Sequence, residues 1–295
     1  METKKSKNQL KLKSMPHYLD PKNDLIFKRI FGEHPDLLIN FLNAVMPLDP
    51  DNPIIEVEYL PAELVPETPT KKDSIVDVRC KDKLGRQFII EMQMYWIEAF
   101  YNRMVFNAGK AYVRQLGRSK KYHLLQPVYT LAILNENFDH KTEQFYHHYQ
   151  IVNRENSDEI IPGLEFVLVE LTDKFRPETM NDRKMMVLWL RFLKEVGEEM
   201  RKLPSEMQEN EYIRKASEIC EEAAFTPEEL AAYDRYWDSI RIQKTLIEDA
   251  LQKGLAKGEA KGLAKGFAKG KAERQKLIRE NEELKRLLKD ANLLK

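Results

Sequence analysis

Three polar side chains interrupt a stretch that is otherwise built to be buried. In residues 74–95, SIVDVRCKDKLGRQFIIEMQMY, Asp77 sits among Val76 and Val78, and Glu91 and Gln93 follow Ile89 and Ile90. The apolar, partly β-branched residues predict two strands, and the charged, glycine-containing run 81–86 predicts the turn between them. Residues two apart on a strand share a face, so Glu91 and Gln93 are neighbours. If the hairpin is symmetric about Leu84, Asp77 lies opposite Glu91, with Cβ atoms roughly 5 Å apart. Two carboxylates that close repel one another unless a proton or a cation sits between them. A hard divalent cation such as Mg²⁺ takes oxygen ligands and is often held by one or two carboxylates plus water. The plainer reading is an exposed ribbon with one polar face.

The spacing Asp-x13-Glu-x-Gln resembles the signature of the PD-(D/E)XK nuclease superfamily, with Gln93 where most members carry lysine and no proline before Asp77. Further motifs extend the likeness. They are Tyr18-Leu-Asp-Pro-Lys-Asn-Asp-Leu-Ile-Phe-Lys28, Ile30-Phe-Gly32, Asp73-Ser-Ile-Val-Asp77-Val, Ile90-Glu-Met-Gln93, and Tyr122 with Leu125-Gln-Pro-Val-Tyr. In this order, across about residues 15–195, they resemble the transposase branch of that superfamily, the recombination-promoting nucleases. The resemblance implies an α/β fold with a restriction-endonuclease-like core, α-β-β-β-α-β. It also implies metal-dependent hydrolysis of DNA. Asp77 and Glu91 would hold Mg²⁺ or Mn²⁺, with the Met92 backbone carbonyl completing the shell. Gln93 would stand at the position that orients the attacking water, and the family often carries Gln there. In related folds an acid on the first helix joins the metal site, which makes Asp24 a further candidate; the alternative is a helix-start charge near the positive dipole end. A competing class is a catalytically weak DNA-binding or regulatory protein that keeps the nuclease fold, and the uncharged Gln93 favours it.

The elements around these residues follow from periodicity. Residues 20–32 and 35–46 predict two amphipathic helices, the first starting at Asp20-Pro21, and 54–60 a strand with one wet face. Residues 98–121 predict a long helix with an apolar stripe at Phe100, Met104, Ala108 and Ala111. A second stripe is basic: Arg103, Lys110, Arg114, Arg118 and Lys121. It either positions DNA through its phosphates or forms a solvated face. Residues 127–134 form an apolar run suited to a strand buried on both sides, and 145–152 and 164–171 predict two more strands. His147 and His148 are adjacent, so on a strand they point to opposite faces and make a poor metal pair.

The chain divides by composition into a basic lead (1–14), a nuclease-like domain (15–175), an accessory helical region (176–250) and a tail (251–295). The lead carries five Lys against one Glu and the tail thirteen Lys and Arg against six acids, leaving about −11 between them in a chain of net charge zero. A nucleic acid would therefore be held by a local stripe or by the tails. In the tail, Gly254, Gly258, Gly262, Gly266 and Gly270 recur every four residues, each after a lysine. Leu277, Asn281, Leu284, Leu288 and Ala291 then alternate by four and three, a short seam suited to a parallel homodimer with Asn281 setting register. Two cysteines, Cys80 and Cys220, provide no disulfide framework, and no run approaches 18 apolar residues. These features favour the cytoplasm and exclude a membrane-spanning role.

Overall fold

The computed structural model describes residues 17–64, 75–116, 121–177 and 184–290. The first helix, α1 (Asp24–Glu33), begins later than Asp20-Pro21 because Asn23 caps it, accepting a hydrogen bond from the Leu25 amide at 3.0 Å. Ile26, Phe27, Ile30 and Phe31 are spaced so that one face is buried. Helix α2 (Pro35–Val45) starts with proline in its first turn and buries Leu37, Leu38, Phe41, Leu42 and Val45.

Strands β1 (Val57–Tyr59), β2 (Val78–Asp82) and β3 (Gln87–Gln93) form an antiparallel meander. Helix α3 (Ala99–Val113) then leads to β4 (Val128–Leu134), which pairs parallel to β3. A parallel return needs a crossover of this length. Strands β5 (Tyr146–Val152) and β6 (Ile160–Glu170) complete a six-stranded sheet of order β1-β2-β3-β4-β6-β5. The succession helix, three strands, helix, strand expected for the nuclease core is present, with β5 and β6 extending it.

Both faces of the central strands are covered, which explains their nearly continuous apolar sequences. On one face Val78, Cys80, Phe88, Ile90, Leu131, Ile133, Val167 and Val169 join the main core with α1 and α2. That core takes in Trp189 and Phe192 of α4 (Lys184–Glu195), Met207 of α5 (Ser205–Glu209) and Ile213 of α6 (Glu211–Ile219). The region read from sequence as accessory thus shares the core. Phe31 stacks on Phe41 with centroids 4.5 Å apart, and Trp189 packs against both at 5.5 and 5.4 Å. Residues of the opposite parity, Ile89, Val128, Ala132, Leu134 and Leu168, face α3 through Phe100, Met104, Ala108 and Ala111. Strand parity therefore puts Glu91, two residues from Ile89, on the α3 side.

Helix α7 (Pro227–Asp290) opens with a reciprocal capping box. The Glu229 amide donates to Thr226 Oγ1 at 3.3 Å and the Thr226 amide to Glu229 Oε2 at 2.8 Å. The helix runs through all five regularly spaced glycines. Two compact units divide the chain, Met1–Asp238 and Ser239–Lys295. In the second, Leu255, Leu263, Phe267, Leu277, Leu284 and Leu288 are exposed; Ala291 lies outside the described residues, as does the basic lead 1–14. Among the described residues no helix is long and apolar enough to cross a membrane.

Candidate active site

The β2–β3 hairpin sets the geometry. Its register pairs Val78 with Ile90 and Cys80 with Phe88, which is the symmetry about Leu84 expected from sequence. The ladder ends at Val78, and the chain bends at Asp77, so Asp77 and Glu91 are not a ladder pair. Asp77 instead reaches diagonally, its Oδ2 accepting the Met92 amide at 2.7 Å. Glu91 is buried and lies on the α3 side, where Asn107 Nδ2 donates to Oε1 at 3.1 Å and Arg103 Nη2 to Oε2 at 3.2 Å. Gln93 uses both ends of its amide. Its Nε2 donates to the Tyr95 carbonyl at 2.7 Å, and its Oε1 accepts from the same Arg103 Nη2 at 2.7 Å.

Burial dominates the electrostatics. It pushes the Asp77 carboxyl up to about 6; the charges of Asp24 and Glu91 add to this, and the Met92 amide and Lys28 oppose it. Burial also raises Glu91, against the lowering effects of Arg103 and Asn107. The phenol of Tyr236, in the first part of α7, is raised by burial first and then by Asp24 and Asp77, which places this tyrosine beside the acidic end of the site.

Asp24 is the first residue of α1, and its carboxylate is held by Lys28 Nζ at 2.7 Å. Its charge is felt by Asp77, yet no group of three or more His, Cys, Asp or Glu side chains that could hold a metal occurs among the described residues. Two carboxylates with burial-raised affinity for a counter-charge fit a hard cation that completes its shell with carbonyl, water or phosphate oxygen. His147 and His148 diverge as expected for adjacent strand residues, the first to buried Glu170 at 3.0 Å and the second to Glu165 at 2.9 Å.

The basic stripe is not one helical face. Helix α3 stops at Val113, Arg114 caps it, Arg118 is outside the described residues, and Lys121 follows in a separate segment. Lys110 Nζ donates to the Leu64 carbonyl at 2.9 Å, and Arg103 turns to Glu91 and Gln93. Sequence reasoning missed Asn107, although a buried amide within the apolar stripe of α3 was the available signal. It also missed Arg79, which is buried and held by the Gln87 side chain at 2.9 Å rather than by a carboxylate. Burial, and secondarily the charge of Arg114, lowers its pKa.

A family model described as PD-(D/E)XK nuclease family transposase matches residues 21–250. Neither curated proteins nor solved structures yielded a match. The matched span contains the whole sheet, both strands of the acidic hairpin and α3. The chain belongs to the PD-(D/E)XK nuclease family transposases.

Proposed function

We propose that this protein is a divalent-metal-dependent DNA endonuclease of the recombination-promoting kind. The observation that carries this reading is the pair of burial-raised carboxyls, Asp77 and Glu91, beside an amide and a guanidinium at one end of a rigid hairpin. Asp77, Glu91 and the Met92 carbonyl would hold Mg²⁺ or Mn²⁺, which when bound supplies charge to the phosphoryl group and a more acidic water. The Met92 amide orients Asp77 through Oδ2, leaving Oδ1 for the cation. Asn107 orients the other carboxylate through Oε1 and Arg103 through Oε2, so a cation would meet Glu91 at a remaining lone pair. Gln93 Nε2 spends one N–H on Tyr95 and keeps the second for a water. Buried Cys80 and Cys220 are free thiols, in keeping with a reducing cytoplasm. DNA is the proposed partner, with a homodimer formed through Leu277, Asn281, Leu284 and Leu288.

One observation favours the second reading, a DNA-binding protein of feeble activity: Gln93 is already tied at both ends and carries no charge. Plasmid cleavage by the purified chain with Mg²⁺, Mn²⁺, Ca²⁺ or EDTA, beside Asp77→Ala, decides between them. Metal-dependent nicking by the wild type that Asp77→Ala loses is the expected result. Cleavage that survives the substitution defeats this site. DNA retention in a gel shift without cleavage transfers the protein to the second reading.

A further inference from the structure

Gln93 leaves the third position of the motif without a positive charge, and the structure brings a cation to it from another element. Arg103 of α3 places Nη2 2.7 Å from Gln93 Oε1 and 3.2 Å from Glu91 Oε2. Its guanidinium carbon also lies 4.8 Å from the centre of the Phe100 ring, a contact that restrains the group from one side. These hydrogen bonds engage only Nη2. A guanidinium has five N–H donors in a planar fork, so the donors on Nε and Nη1 remain for another acceptor. The Arg103 side chain is 43% exposed where that of Glu91 is 5% exposed, so the group sits between the buried acid and solvent.

We propose that Arg103 replaces the missing lysine: Nη2 holds Glu91 and Gln93, while Nη1 donates to a phosphate oxygen of the nucleic acid lying against the Asp77–Glu91 pair. A planar guanidinium suits this double duty because its donors are fixed along different edges, so one nitrogen can hold the acid and the amide while another meets phosphate. Lys28, the cation that acts on Asp77, is less suited because its ammonium is held 2.7 Å from Asp24. The proposal rests on the nucleic-acid reading above, and its test separates phosphate contact from cleavage.

The test uses the full chain as wild type, Arg103→Met and Arg103→Lys, with thermal melting as the check on folding. Binding of a short DNA duplex is followed by fluorescence anisotropy in Ca²⁺ over a range of salt concentrations, and plasmid cleavage is followed in Mn²⁺. Arg103→Met is expected to reduce the slope of log affinity against log salt by about one and cleavage by about 10²–10³-fold. Arg103→Lys is expected to restore the slope but only part of the rate, since a single ammonium cannot hold Gln93 and phosphate in one plane. An unchanged slope in Arg103→Met overturns the proposal, as does a wild type that does not bind duplex. If the wild type binds without cleaving, a slope lowered by about one sustains the Arg103–phosphate contact while the nuclease reading fails. Should Arg103→Met not melt cooperatively, Arg103→Gln, which keeps a donor toward Glu91, takes its place with the same outcomes.

Discussion

Asp77 carries an energetic cost whose sign can be worked out. Its carboxyl titrates near 3.8 when unperturbed and near 6 in the folded chain, raised first by burial. Below about pH 4 both states hold the proton and the group contributes nothing to the pH dependence. Between about pH 4 and 6 the unfolded state loses its proton first, so stability falls as pH rises, and the penalty is complete above about 6. A rise from 3.8 to about 6 corresponds to at most about 3 kcal/mol, and the partial solvent access of this side chain reduces that to about 1–2 kcal/mol. Metal-free Asp77→Asn is therefore expected to melt about 2–8 °C above the wild type at pH 7.5. The two should converge near pH 4. Calorimetry at both pH values checks this; a lower melting point for the variant at pH 7.5 would show that Asp77 is stabilised by partners rather than strained by burial.

The hairpin is the element that makes the site, because a one-residue slip would carry Glu91 and Gln93 to the opposite face of the sheet. Its turn is held by a buried pair, Arg86 Nε to Asp82 Oδ2 at 2.6 Å, and by the Arg86 amide on Asp82 Oδ1 at 2.9 Å. Gly85 completes it at φ +84°, where a side chain is strained, and an added Cβ would lie 3.1 Å from Gln126 Cγ. Gly85→Ala is expected to cost about 1–2 kcal/mol, read as a lowered urea midpoint with an unchanged slope. A midpoint equal to that of the wild type would mean that the turn relaxes to negative φ without disturbing the strands. Helix α3 is the second positioning element. Asn107 and Arg103 are four apart, so both lie on its sheet-facing side and reach Glu91 together.

At the scale of the whole molecule, charge is segregated: the unit from Ser239 holds the Lys/Gly repeat. Five glycines cost a helix about 4–5 kcal/mol against alanine. The helix nevertheless continues through them, with alanines between and i,i+4 pairs such as Lys253–Asp249 and Lys269–Glu273 flanking the repeat. Four residues advance about 400° around an α-helix, so the lysine ridge winds by about 40° per step. Among the described residues Lys257, Lys261 and Lys265 have no acidic partner. If this ridge meets DNA phosphates, replacing all three by glutamine lowers the salt slope of duplex binding by about two to three and leaves melting of the nuclease unit unchanged. An unaltered slope would assign the ridge to solvation alone.

Periodicity made β3, β4 and the apolar stripe of α3 legible, because alternation by two and by 3.6 is set by backbone geometry within each segment. The order of strands and helices in the core followed from the same local patterns, and Asp77, Glu91 and Gln93 stood out as polar residues inside apolar strands. Tertiary structure alone decided what those residues touch. The bend at Asp77 turns its carboxylate to the Met92 amide and brings it under the charge of Asp24. The packing of α3 over β3 gives Glu91 an amide and gives Gln93 a guanidinium. The same packing turns Arg103 toward Glu91 and Gln93 and Lys110 toward the Leu64 carbonyl, contacts their spacing alone did not suggest. Such contacts join residues on separate elements, and their partners depend on how side chains fill the space between a sheet and a helix, which no local period encodes.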